Sequence, residues 1–336
     1  MGGNVLITGI AGFMGSHLAD KFLELGWNVK GIDNLIGGYE DNVPKEAHFY
    51  QLDLADLGAI KPIFEDVDIV IHAACTAYEG LSVFSPALVV QNTSQITATS
   101  LSASVSAGVK KFIYMSSMAR YGTQDELPFR EEMNPNPQDP YGIAKYSSEL
   151  LVKNICETQN MDYTILVPHN IIGARQKYND PYRNVASIMI NRMLMGNPAI
   201  IYGDGEQKRC FSFIQDVVNP IVTCAESDLA NGKTINIGPD DEFISINELA
   251  RIISDLIGFK KPPIYMPGRP QEVKDANCSA DLARELLSYT PQTNLKSGLT
   301  ELINWISNRG AREFDYHLPI EFSNSTTPRT WTEKLM

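Results

Sequence analysis

Tyr141 and Lys145 stand four residues apart, so a helix through them places both on one face. A free phenol ionises at about pH 10, too high for a base in neutral water. An ammonium about 4 Å away, at an effective dielectric of about 20, favours the phenolate by roughly 4 kcal/mol, about 3 pKa units. A tyrosine shifted that far reaches the range where general-base catalysis works best. The pair follows an apolar run, Lys111 to Ser117, that ends in a hydroxyl.

The elements that must position these groups carry their own signals. Asp139 suits an N-cap and Pro140 the first helical position of a helix running to about Thr158. The run Lys111 to Ser117 reads as a strand, and the proline-rich segment Asn134 to Pro140 leads from it towards the helix. At the start of the chain another apolar run, Val5 to Ile7, enters a turn holding Gly9, Gly12 and Gly15, and Phe13 to Leu25 reads as a helix capped by Gly26. The first glycine permits the tight turn, the second lets backbone approach a pyrophosphate, and the third lets helix pack close to strand. The N–H groups at the head of that helix, from Phe13 and Met14, lie at its positive dipole end, which suits a phosphate diester. A second strand, Asn28 to Asp33, ends in an acid 24 residues after Gly9. There a carboxylate, with Asn34 beside it, accepts hydrogen bonds from the adenosine ribose of NAD and repels the 2′-phosphate of NADP. The positive charge of a nicotinamide would lower the Tyr141 pKa in the same direction as Lys145.

Further strands are expected at His48 to Leu54, Asp68 to Ala74 and Asp162 to Pro168, alternating with helical stretches. The fold class is α/β: a Rossmann, doubly wound parallel sheet with its ligand at the carboxyl ends of the strands, and a smaller C-terminal α/β substrate-binding lobe. The division expected is 1–166 for the NAD-binding domain and 167–336 for the second lobe and tail, with a late strand at 234–238 returning to the first sheet. Asn92 to Gly108 is a small-residue helix with almost no charge, expected to be buried against the sheet or a second subunit. Ser245 and Glu248 form a capping box opening a helix to about Ile257, and Leu299 to Asn308 reads as the last helix.

Composition narrows the function. A net charge of −12, with no Lys/Arg block, gives no nucleic-acid footprint. The five cysteines, Cys75, Cys156, Cys210, Cys224 and Cys278, form no C-x-x-C pair, which points to free thiols in a reducing cytosol and to no metal site. No apolar run is long enough to span a bilayer, and the first strand leaves no room for a signal peptide, so the cytoplasm is the expected compartment.

Taken in order, these motifs resemble the extended short-chain dehydrogenase/reductases that act on nucleotide sugars, the epimerase and dehydratase family. The resemblance rests on Gly9, Gly12 and Gly15, on Asp33, on Asp53 and Leu54, and on His72, Ala73 and Ala74 followed by Ser82, Pro86 and Asn92. It continues through Ser117, Tyr121 and Gly122, then Tyr141 and Lys145, then Asn170, Gly203 to Gly205, Arg209, Asp216 and Val217, and Arg269 with Pro270. It spans residues 4 to 308.

The resemblance implies NAD as cofactor, a nucleotide-diphosphate sugar as substrate, and a homodimer. Tyr141 would take a proton from a sugar hydroxyl, Ser117 would hold that oxygen, and Lys145 would hold the nicotinamide ribose. Asp53 and Leu54 would contact adenine, while Ala73, Ala74, Asn92 and Pro168 complete the implied cofactor contacts. Asn170, Arg209, Arg269 and Glu272 would bind the diphosphate and its flanking sugars. Dehydratases of the family carry an Asp-Glu pair just after the serine or threonine; Met118 and Ala119 stand there and move no proton, which favours a 4-epimerase. Alternatives are a 4,6-dehydratase or reductase, and, more remotely, a non-catalytic NAD sensor. Departures from the family pattern are Glu79, where an apolar residue faces the hexose, His169, Cys210 and Gln271-Glu272. Glu79 and His169 are either sugar-pocket residues or, respectively, a solvated loop acid and a space-filling ring. Ala276 stands where some 4-epimerases have a bulky tyrosine, which predicts room for an N-acetyl group.

Overall fold

In the computed structural model, which describes residues 2–336, the apolar runs assemble into one seven-stranded parallel sheet. Its strands are β1 (Asn4–Thr8), β2 (Asn28–Asp33), β3 (His48–Gln51), β4 (Ile69–His72), β5 (Lys111–Met115) and β6 (Asp162–Pro168), joined by the late strand Thr234–Ile237. The order is β3, β2, β1, β4, β5, β6, then the late strand, so the chain runs outward from β1 in one direction and then the other. That reversal at β1 and β4 opens the crevice where such sheets bind ligands. β4 is buried at every residue and β5 likewise, as expected of strands covered on both faces.

One face is covered by the first helix, Phe13–Glu24, packed on Ile214–Glu226. The other is covered by Ile96–Ala107 packed on Pro140–Gln159. The first of these two carries little charge but is only half covered: Thr97, Ser100, Leu101 and Ser104 are buried, while Ser102 and Ser106 face solvent. Two of its buried hydroxyls turn back onto their own helix, Thr97 Oγ1 donating to Thr93 O at 2.7 Å and Ser104 Oγ to Ser100 O at 2.8 Å, and Thr97 Oγ1 also meets His72 Nε2 at 3.1 Å. A π-type turn over Gln91–Gln95 precedes it, with Asn92 at φ −81, ψ 17.

The remaining polypeptide packs Val185–Leu194, Ile246–Ile257 and Leu295–Arg309 around a separate apolar cluster. Ser245 Oγ accepts from the Glu248 N–H at 3.1 Å, as its capping box requires. The last long helix starts a turn earlier than its apolar spacing suggests because Asn294 caps it, accepting from Ser297 N at 2.9 Å. β3 stops at Gln51, short of the expected Leu54, since the Asp53 carboxylate accepts from Ala55 N at 2.8 Å and turns the chain. Among the described residues no helix is long and apolar enough to cross a membrane, and no cluster of metal-ligating side chains occurs.

Candidate active site

The glycine turn is built as tightly as its sequence demands. Gly9 has φ +75, and a Cβ there would lie 2.9 Å from Ala74 Cα. A Cβ on Gly15 would come within 2.1 Å of the Gly9 carbonyl oxygen. The helix that follows has Gly12 as its N-cap with no side chain closing it, so its first N–H groups stay open to a phosphate. Asp33, buried at the end of β2, accepts from Ala11 N at 3.0 Å and from Leu35 N at 2.7 Å, which fixes its carboxylate beside the turn. Burial raises its pKa, and those N–H groups oppose the rise.

One cavity of about 430 Å³ runs from this turn across the strand ends. Its walls include the cofactor candidates Gly9, Gly12, Phe13, Met14, Gly15, Asp33, Asn34, Asp53, Leu54, Ala73, Ala74, Asn92 and Pro168. They also include Ser117, Tyr141 and Lys145, and, farther along, Glu79, Asn170, Arg209, Arg269 and Glu272. A preformed cradle, an uncapped helix start and a buried acid together fit the adenosine diphosphate part of NAD.

His169 is a correction. It lies 1% exposed outside the cavity wall, its Nε2 2.7 Å from Pro239 O, packed where a Cβ on Gly238 would meet it at 2.4 Å. Burial lowers its pKa to about 4, so it stays neutral. Pro168 and Asn170 line the cavity, whereas the ring between them turns to Pro239 and Gly238 just past the end of β6 and fills space there.

The Asp139 side chain caps the Pro140–Gln159 helix, accepting from Gly142 N at 2.9 Å, and this sets Tyr141 in the first turn at the end of β5. The Ser117 hydroxyl caps the short turn Met118–Arg120, accepting from Ala119 N at 3.2 Å. Beneath it lies a buried Arg120–Glu149 ion pair at 2.9 Å, with Ser116 also bonded to Glu149. Lys145 is 1% exposed and donates from Nζ to Met115 O at 2.6 Å.

The expected fall in the Tyr141 pKa towards 7 does not occur in the chain alone. Burial holds the phenol well above its ordinary value, with Cys75 and Glu79 adding to the rise and Ser117 opposing it. The ammonium is tied to the Met115 carbonyl and sits 5.9 Å from the Tyr141 ring centroid.

At the other end of the cavity Arg209 is anchored by backbone carbonyls, Nη1 to Lys274 O at 2.8 Å and Nη2 to Val273 O at 2.6 Å, and makes no ion pair among the described residues. Arg269 stacks 4.8 Å over the Tyr202 ring and pairs with Glu272 at 2.9 Å. Two guanidiniums facing one cavity suit a diphosphate dianion. Glu272 lines the same cavity as the partner of Arg269.

Glu79 presents an exposed side chain to the cavity, between Asp139 on the Tyr141 side and Arg209 and Arg269 on the other. Burial, reinforced by Asp139, raises its pKa from 4.5 to about 7 against the pull of the arginines. A carboxyl with a raised folded pKa keeps a proton that the unfolded chain has already released, so stability falls as pH rises from 4.5 to about 7. Glu79→Gln removes that cost: its melting temperature, measured without ligand, exceeds the parent's at about pH 8, and the two converge at about pH 4.5. An equal gap at both pH values would contradict the assignment.

Motif reasoning missed Arg183, Tyr182 and Tyr202. Arg183 reaches the cavity with its guanidinium 4.9 Å over the Tyr78 ring and with no hydrogen-bond or ion-pair partner among the described residues. Its charge is felt by Tyr78, Asp180, Cys75 and Tyr141. A lone arginine in a loop carries no spacing signal that could have found it.

Comparison with known proteins agrees with this geometry. Residues 5–238 match the model of the NAD dependent epimerase/dehydratase family. A putative UDP-glucose 4-epimerase of Methanocaldococcus jannaschii is 34% identical over 309 residues, covering 90% of this chain and 98% of that protein. The UDP-N-acetylglucosamine 4-epimerase of Methanobrevibacter ruminantium, solved in complex with UDP-N-acetylmuramic acid, is 31% identical with a TM-score of 0.85, covering 92% of this chain and 99% of that one. The UDP-glucuronic acid 4-epimerase of Bacillus cereus, solved with UDP-glucuronic acid and NAD, is 28% identical with a TM-score of 0.85, covering 91% and 100%. With a family match over most of its length and the glycine cradle, tyrosine and lysine gathered at one crevice, the chain belongs to the NAD-dependent epimerase/dehydratase family.

Proposed function

We propose that this protein is an NAD-dependent 4-epimerase of a nucleotide-diphosphate sugar, acting on UDP-hexoses and their N-acetyl analogues. The observation that carries the reading is that Met118 and Ala119 line the cavity beside Ser117 and Tyr141. Neither Met118 nor Ala119 can move a proton, so the phenol and its serine stand without the adjoining acid–base pair that loss of water would use, which suits reversible oxidation.

NAD, when bound, supplies the acceptor for the hydrogen on C4 and returns it. Tyr141 takes the C4 hydroxyl proton and gives it back after the sugar has turned its other face. Ser117 donates to the oxygen of the transient 4-ketone, and Lys145 holds a positive charge beside both. Arg209 and Arg269 keep the diphosphate anchored while the hexose turns, so the ketone is not released. The test is incubation of the purified protein, without reductant, with UDP-glucose, UDP-galactose, their N-acetyl analogues and the uronic acids, followed by proton NMR. Interconversion at C4 supports the reading; a 4-keto-6-deoxy product would overturn it in favour of a dehydratase.

Room for the N-acetyl group comes from Ala276, buried on the strand Asp275–Ala276, in register with Arg209, and open to the cavity. Ala276→Tyr should lower kcat/KM for UDP-N-acetylglucosamine relative to UDP-glucose by at least about tenfold, the scale on which steric fit discriminates. An unchanged ratio would show that the acetamido group sits elsewhere.

The homodimer is part of the same proposal. Ile143 is 52% exposed, Leu150 50% and Val90 43%, an apolar stripe on Pro140–Gln159 and the adjoining turn of helix. Leu150→Glu should convert a dimer to a monomer in light scattering; an unchanged mass would place the contact on another face.

A further inference from the structure

The chain beyond Gly310 has no place in the family motifs, and the relatives above are matched over nearly their whole length while leaving about a tenth of this chain over. The segment after Gly310 is nevertheless bound to the body of the protein along its length. Arg312 N and O both bond to the Asn191 amide, at 3.0 and 2.8 Å, and Asp315 N donates to Asn179 O at 2.8 Å. From there it reaches three pieces of the cavity wall.

The first is the loop that carries Glu79. Ser85 Oγ donates to Pro319 O at 2.7 Å, Glu321 N donates to Phe84 O at 3.1 Å, and the Glu321 carboxylate caps the next helix by accepting from Ala87 N and Leu88 N at 3.1 and 2.7 Å. Trp331, 3% exposed, packs against Phe84, and a Cβ on Gly80 would meet its ring at 3.4 Å. The second is the loop that carries Arg183: Trp331 Nε1 donates to Pro181 O at 3.1 Å and Tyr182 OH to Leu318 O at 3.2 Å. The third is Tyr202, the ring under Arg269, whose hydroxyl bonds to Thr330. Met336 itself lines the cavity. The groups for NAD, by contrast, stand on the glycine turn, the ends of β2 and β5 and the Pro140–Gln159 helix, and none of these bonds reaches them.

We propose that the tail Tyr316–Met336 is a positioning element of the sugar-nucleotide end of the active site, holding Glu79, Arg183 and Arg269 in place through Trp331, Tyr182 and Tyr202. This rests on the epimerase reading for the identity of the ligand, but not for the division between the two halves of the cavity. The tail removes freedom that these three side chains would otherwise lose on binding, so its contribution appears in substrate affinity and not in the chemical step.

The test is Trp331→Ala, with Trp331→Phe as the conservative variant and Thr330→Val as a milder one that deletes only the hydroxyl bonded to Tyr202. NAD content is measured on the purified proteins, UDP binding by calorimetry with NAD loaded, and KM and kcat on the sugar nucleotide that the unaltered protein turns over. Trp331→Ala should retain NAD, weaken UDP and raise KM at least about tenfold with kcat within about threefold, since only ground-state positioning is lost. Trp331→Phe should recover most of that loss, and Thr330→Val should shift KM in the same direction by a few-fold. Unchanged KM and UDP affinity, loss of NAD together with sugar affinity, or a fall in kcat alone would each overturn the proposal. Should no sugar nucleotide be turned over by the unaltered protein, the epimerase reading fails, while UDP calorimetry and NAD content still decide the role of the tail.

Discussion

Tyr141→Phe keeps its NAD and loses about 10²- to 10⁴-fold in kcat, the usual worth of a positioned acid–base group. The phenol is the cavity group at the end of β5 able both to accept and to return a proton, and the substitution removes one oxygen from a buried ring whose backbone is fixed by the Asp139 cap. The fold and the cofactor cradle are therefore left intact, and KM should move little. Substrate-independent NAD content and an unchanged melting profile separate this result from unfolding. Residual activity within tenfold of the parent would shift the base elsewhere, with Glu79 the next group to replace.

Arg209→Ala should do the opposite: keep kcat and lose substrate binding. The guanidinium is held by the carbonyls of Val273 and Lys274 with no carboxylate partner, so its charge is kept in the wall for an incoming anion. Burial alone would pull its pKa down, and Glu79 and Glu272 push it back, yet the net effect remains a fall. A diphosphate in the cavity reverses that balance, which is the physical sense in which the site is built for one. Truncating one side of such a charge-assisted contact costs about 2–4 kcal/mol, roughly 30- to 700-fold in kcat/KM. Arg209→Lys recovers only part of this, because an ammonium cannot hold two carbonyls and bind the diphosphate with the same fork. A loss of NAD in Arg209→Ala would instead assign this guanidinium to the cofactor.

Much of the cofactor half of the site was legible from local sequence, and particular residues show why. Gly15 is dictated by a contact within a few residues of itself, the Gly9 carbonyl standing where its side chain would be, and Gly9 by its own φ of +75 as well as by Ala74 on a neighbouring segment. Asp139, Tyr141 and Lys145 share one helix, so their spacing alone sets their relation. Lys145 shows the limit of that reasoning: the helix put it on the right face, but the Met115 carbonyl at the end of β5 decides where its charge rests. His169 differs for a related reason, since its neighbours in sequence line the cavity while its ring is held by the Pro239 carbonyl, 70 residues further on.

The sugar half was far less legible. Glu79 stood out by its residue type, yet its raised pKa comes from burial and from Asp139, against the pull of Arg209 and Arg269, all remote in sequence and gathered only by folding. Arg183 and Tyr202 gave no signal, and the tail carried no family motif. The sequence by itself determined the strands, the glycine turn and the helix that sets Tyr141 and Lys145 on one face, because each depends on contacts over one turn or one alternation of strand. Tertiary structure alone decided the cavity's far wall, where loops from both lobes and the tail meet through Trp331 and where burial and charge are set by neighbours that no local pattern names.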